Sequence, residues 1–201
     1  MNSLRGGIAA GFFWVFTLSA LGHVPYLEEE DFSPRRPFFD FDVTQSIAVY
    51  AWLESPDDVD VYVCWVQQPS RLFLEALVPV CPAYESFFPS FAVFGPGLPA
   101  PATPVIGPYR LATVDWLDRS EPRETFYEPF GDKTYYQGPA YDQRVTIPGL
   151  YFIFVWDPEG VGGDYVLAIG KEERWPLPSI LRALIETPKI RRGEELHSPC
   201  G

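Results

Sequence analysis

Apolar and polar positions alternate along much of the chain from residue 39 onward. Ile47, Val49, Ala51 and Leu53 share one face of residues 39–53. In residues 58–66 (DVDVYVCWV), Val59, Val61, Val63 and Trp65 share one face and Asp58, Asp60, Tyr62 and Cys64 the other. Alternation of this period is the mark of a strand with one dry side. It predicts a half-buried antiparallel strand with the Val59–Trp65 face inward. Residues 72–80 predict a third strand, which would face residues 59–66 if the two form a hairpin turning at Gln68-Pro69. Residues 91–94 predict a short fourth, stopped by Gly95-Pro96-Gly97. The pattern returns at residues 143–147. It continues in residues 150–156 (LYFIFVW), apolar on both faces and hence central, and in residues 164–170, where Tyr165, Leu167 and Ile169 alternate with Val166 and Ala168. About seven strands with frequent turn signals, and no βαβ alternation, predict an all-β fold. The expected architecture is an antiparallel, jelly-roll-like β-sandwich over residues 39–170.

Two regions break the pattern. Residues 96–139 are rich in Pro, Gly, Tyr and charge and read as a long loop insertion. Residues 177–186 (LPSILRALIE) read as a short C-terminal helix, with Ser179 a capping residue and Ile180, Leu181, Leu184 and Ile185 on one side. Pro188 is expected to end it, and residues 189–201 read as a loose tail, so that residues 171–201 hold a C-terminal helix and tail.

The beginning of the chain has its own logic. Arg5 precedes an uncharged apolar run over residues 8–20, and Ala20-Leu21-Gly22 is a small-x-small site. This order is that of a secretory signal peptide over residues 1–22. The rival is a short membrane anchor over residues 6–22, although that length is at the lower limit for a span. Residues 23–38 read as an extended segment leading into the sandwich. The expected location is exported, periplasmic or extracellular, with membrane contact only if the leader stays uncleaved.

Composition narrows the function. Aromatics at 16% and 22 prolines suit strands linked by rigid loops. A net charge of −12 disfavours nucleic acid, which needs a basic surface. The cysteines are Cys64, Cys81 and Cys200. If those two strands form a hairpin, Cys64 lies roughly opposite Glu75, leaving Cys81 about 20 Å away. A bridge needs Cα atoms within about 7 Å, so Cys64–Cys81 requires the two strands not to be partners. Cys200 reads as free.

Two stretches resemble a known family. One is Asp58-Val59-Asp60-Val61-Tyr62, opening a strand. The other runs from Gly149 through Tyr151 to Trp156 and, after a glycine-bearing loop, from Gly163 through Tyr165 and Leu167 to Ile169. Together they resemble the final strands of bacterial pre-peptidase C-terminal domains and related exported jelly-roll sandwiches. The resemblance spans residues 39–170 and implies an exported sandwich. The long insertion departs from that family's pattern. Sandwiches host many unrelated functions, so the resemblance implies little about activity.

The chain lacks G-x-S-x-G, H-E-x-x-H and P-loop motifs, and its histidines are His23 and His197 alone. That argues against hydrolytic catalysis. Asp57, Asp58 and Asp60 form the sharpest acidic cluster. It suits calcium, or else local turn hydrogen bonds. No other cofactor is implied. Tyr109, Trp116, Tyr127, Tyr135 and Tyr136 in the insertion suit a stacking surface for a protein or glycan, or else anchors pinning a long loop. Glu121, Glu124, Glu128 and Asp132 are acids of undetermined separation. His23, at a new N-terminus, offers copper an imidazole and an amine, but the second imidazole would have to come from His197. Three functions follow: a non-catalytic binding or accessory domain for a protein or glycan, a calcium-binding or metal-dependent protein, and a structural envelope protein.

Overall fold

The computed structural model describes residues 22–115, 122–198 and 200. The leader expected over residues 1–22 therefore lies outside the described residues, Gly22 excepted. Those residues hold twelve strands in two six-stranded sheets and one α-helix. The first sheet contains β1 (Val24–Leu27), β3 (Ile47–Leu53), β12 (Gly163–Ile169), β5 (Ser70–Pro79), β10 (Lys133–Val145) and β9 (Thr125–Glu128), in that order across the sheet. The second contains β2 (Phe38–Asp40), β4 (Val59–Val66), β11 (Gly149–Trp156), β6 (Ser90–Pro96), β8 (Tyr109–Val114) and β7 (Thr103–Ile106). The fold is an all-β sandwich with mixed sheets, because β1 pairs parallel with β3 and β2 pairs parallel with β4.

The core lies between the sheets. Val49, Leu53, Leu74, Val93, Ile153, Val155, Leu167 and Ile169 are almost wholly buried there. Each such side chain contributes about 1.5–3 kcal/mol of transfer free energy. Tyr165, Leu167 and Ile169 face inward from β12, as do Ile47, Val49, Ala51 and Leu53 from β3. β11 is central, flanked by β4 and β6.

Several expectations need correction. On β4 the inward face is Tyr62, Cys64 and Val66, and Trp65 is 43% exposed. Val61 and Val63 are nevertheless buried, because their cross-strand neighbours Phe154 and Phe152 cover the outer face. Alternation cannot identify the core side when both faces are dry. β4 and β5 are not hairpin partners either. The chain passes from one sheet to the other between them, and β5 instead pairs with β10 and β12.

Residues 23–38 are not merely a lead-in, since β1 forms an edge of the first sheet and β2 begins at Phe38. The insertion at residues 96–139 is not a loop. β7 and β8 extend the second sheet, and β9 with the first part of β10 extends the other. Gly107, at φ +52°, supports the tight turn between β7 and β8.

The helix α1 (Leu177–Arg192) runs past Pro188 and ends on Gly193, whose left-handed backbone closes the last turn. It buries Ser179, Ala183, Glu186 and Ile190, while Leu177, Ile180, Leu181, Leu184 and Ile185 face solvent. The apolar stripe points away from the sandwich because the small residues Ser179 and Ala183 let the helix approach closely. Gln45 donates to Ser179 Oγ at 3.1 Å. The tail is tied down by a Cys81–Cys200 disulfide, with Cα atoms 4.9 Å apart, so Cys200 is not free. Cys64 is the buried free thiol.

Candidate acidic site

Glu28 follows directly on β1, and its N–H donates to the carbonyl of Tyr50 on β3. Its side chain takes over where strand pairing stops. Oε1 accepts the Phe32 N–H and Oε2 accepts the Trp52 N–H, both at 2.8 Å. Burial, aided by the charges of Asp31 and Asp58, pushes its pKa up to about 7 against those two backbone donors.

Asp60 lies inward of Glu28, on the core side of β4, with no exposed surface. Tyr165 of the facing sheet donates to its Oδ2 at 2.6 Å, and the Tyr62 hydroxyl lies 2.7 Å from that of Tyr165. Since the Tyr165 proton is committed to Asp60, Tyr62 is the donor in that pair. Oδ1 of Asp60 is buried and has no hydrogen-bond partner among the described residues. Burial, and then the charge of Glu28, raises Asp60 to about 8. Burial beside Asp60 also holds both tyrosines well above their usual range. One oxygen each from Glu28, Asp31 and Asp60 lies within 4.8 Å of the other two.

On the opposite face of the first sheet, Trp52 and Asp164 are register partners. The His197 ring stacks on Trp52, centroids 4.0 Å apart and planes 10° apart. His197 Nδ1 sits 2.7 Å from Asp164 Oδ1, and its backbone N–H donates to Oδ2 at 2.7 Å. Tyr84 also donates to Oδ2. The disulfide three residues further on holds this tail in place.

The two arrangements meet at a pocket of about 160 Å³, lined by Glu28, Glu29, Glu30, Asp31, Trp52, Glu54 and His197. Glu30 pairs with Arg36. The other four carboxylates make no ion pair among the described residues. The pocket therefore offers uncompensated negative charge beside an indole.

Of the aspartates singled out from sequence, only Asp60 enters this cluster. Asp57 is exposed, and Asp58 Oδ2 accepts the Glu54 N–H at 2.8 Å, which is turn work. Glu28 and Asp31 escaped the sequence reading because nothing local links them to Asp60. They lie in residues 23–38, which read there only as an extended segment leading into the sandwich.

The candidate aromatics do not form one surface. Tyr109 stacks on Phe94 at 5.2 Å in the second sheet. Tyr127, Tyr135 and Tyr136 belong to the first, where Tyr135 is buried and Tyr136 lies under the Arg123 guanidinium at 3.6 Å. Tyr127 is 57% exposed and donates to Asp132 at 2.6 Å. Trp116 and Glu121 lie outside the described residues. Glu128 accepts the Phe130 and Gly131 N–H groups, closing a turn. His23 is engaged by Ser46 at 2.6 Å and His197 by Asp164, so each imidazole has its own partner.

No family model and no curated protein sequence matches this chain. Among solved structures, similarity is found to PliG of Aeromonas hydrophila, a periplasmic inhibitor of g-type lysozyme. Identity is 15%, TM-score 0.38, covering 66% of this chain and 93% of that one. PliG of Salmonella Typhimurium, also a periplasmic inhibitor of g-type lysozyme, gives 16% identity and TM-score 0.32, covering 66% and 95%. CorA, a surface-associated copper-binding protein of Methylomicrobium album BG8, gives 10%, 0.32, 67% and 97%. Likeness at this level carries nothing about function, and the site stands on its own geometry.

Proposed function

We propose that the chain is an exported, non-catalytic binding domain that receives a cationic ligand in the acidic pocket. The observation that carries this reading is the pocket lining itself: five carboxylates and the Trp52–His197 stack around one concavity. A basic protein partner supplies such a ligand as a lysine or arginine head. The net charge of −12 would steer that partner inward. The Cys81–Cys200 bridge supports export, since disulfides persist in oxidising compartments. The resemblance to exported pre-peptidase C-terminal sandwiches is in keeping with an accessory role and belongs to the same proposal.

The test is calorimetric titration of the full chain with tetralysine, tetra-arginine and calcium chloride, with tetraglutamate and a neutral chitooligosaccharide as controls. Binding of at least one cationic probe with a Kd below about 1 mM is expected, and none by the controls. Silence from all three cationic probes would remove the reading.

A further inference from the structure

We propose that Glu28, Asp31 and Asp60 form a binding site for a hard divalent cation of the calcium class. This deepens the cation-binding reading above and rests on it.

Three observations carry the inference. First, Glu28 and Asp31, three residues apart after β1, meet Asp60 of β4 from the other sheet, and each brings one oxygen within 4.8 Å of the other two. Calcium binds oxygens at about 2.3–2.6 Å, so one ion bridges ligands up to about 5 Å apart. Magnesium, at about 2.0–2.1 Å, spans only about 4 Å and prefers to keep its water. Three oxygens shared by one calcium lie up to about 4.5 Å apart, against about 3.6 Å for magnesium, so small side-chain adjustments suffice for calcium.

Second, Asp60 is fully buried and its Oδ1 accepts no hydrogen bond among the described residues. An interior carboxylate oxygen without a partner is costly, and a bound cation removes that cost. The opposite oxygen is already fixed by Tyr165 at 2.6 Å, which prevents the carboxylate from turning away.

Third, the surroundings leave this role open. None of the three residues forms an ion pair among the described residues, so no lysine or arginine neutralises the group. The two backbone donors that hold Glu28 leave each of its oxygens a further lone pair. Asp31 is exposed at the pocket wall, giving an ion a path from solvent. The donors are all oxygen, which selects hard cations over zinc or copper. Three protein carboxylates fall short of the six to eight ligands calcium takes, so water or a partner's oxygens complete the shell. That places the affinity with extracellular modules, at about 10⁻⁴–10⁻³ M.

The experiment is calorimetric titration of the full chain, freed of metal with a chelator, against calcium and magnesium separately. Thermal melts are recorded in parallel. One calcium site is expected, with magnesium at least about tenfold weaker. Asp31→Ala, whose exposed side chain makes it safe for folding, should weaken calcium at least tenfold with an unchanged circular dichroism spectrum. Asp60→Asn should do the same. Glu54→Gln, in the pocket wall but outside the trio, should change affinity less than threefold. Absence of calcium heat and of any rise in Tm up to about 10 mM calcium would overturn the proposal, given the affinity range of such sites. So would undiminished calcium binding by Asp31→Ala. If calcium fails while tetralysine or tetra-arginine binds, the metal site falls and the cationic-ligand function stands.

Discussion

Tyr165 on β12 crosses the interior of the sandwich to donate its hydroxyl to Asp60 on β4, at 2.6 Å. The bond joins the two sheets through the one ionisable carboxylate that faces the core from β4. Removing the donor leaves Asp60 with both oxygens unpaired. Tyr165→Phe is therefore expected to cost about 1–3 kcal/mol, the penalty of a buried unsatisfied polar group. Urea unfolding at pH 6 measures it. Pairing Tyr165→Phe with Asp60→Leu should cost less than the sum of the single changes, because the orphaned acceptor is then gone too.

The same carboxylates make stability depend on pH. Asp60 is raised to about 8 and Glu28 to about 7, so the folded state holds their protons more tightly than the unfolded chain. Their contribution is fully present below about pH 4, near the carboxylates' unfolded values. It declines as pH rises through the window and is lost above about pH 8. In the presence of chelator, Tm is expected to fall between pH 5 and pH 9. Asp60→Asn should flatten that slope. A chelated protein whose melting point rises across this range would contradict the assigned environments.

The Cys81–Cys200 bridge closes a separation of 119 residues. Constraining a loop of that size in the unfolded chain is worth about 2–5 kcal/mol. The double change Cys81→Ser and Cys200→Ser should lower Tm by several degrees. It should also release His197 from the Trp52 ring. Loss of the ring-current shift on the His197 imidazole protons in NMR spectra checks the second effect separately from the first.

The helix orientation is equally open to test. Ile190 is fully buried, whereas Leu181 and Leu184 are 52% and 68% exposed. Ile190→Ala should cost about 2–4 kcal/mol, in the range of buried aliphatic truncations. Leu181→Lys and Leu184→Lys should each change stability by less than about 0.5 kcal/mol. The reverse order would mean that the apolar stripe docks inward after all.

The legibility of the fold in the sequence depends on which question period-two alternation answers. On β3 the face of Ile47, Val49, Ala51 and Leu53 is the core face, as its alternation implied, whereas β11 is apolar on both faces, so its central place was legible and its inward side was not. On β4 the face carrying Asp60, Tyr62 and Cys64 appears polar, yet it is the core face. Tyr62 and Tyr165 supply bulk together with hydroxyls, and the hydroxyls satisfy one oxygen of the aspartate. The site was less legible still. Glu28 meets Asp60 because β1 pairs parallel with β3 in one sheet while β4 lies in the other.

By itself, the amino-acid order determined that this chain is strand-rich and acidic. Local alternation, turn residues and composition act over a few positions, and each is written in neighbouring letters. Sheet partners, the inward side of β4, the Cys81–Cys200 pairing and the Glu28–Asp31–Asp60 cluster were decided only in three dimensions. They depend on which distant strands share backbone hydrogen bonds, and many pairings of the same strands would bury a similar apolar area.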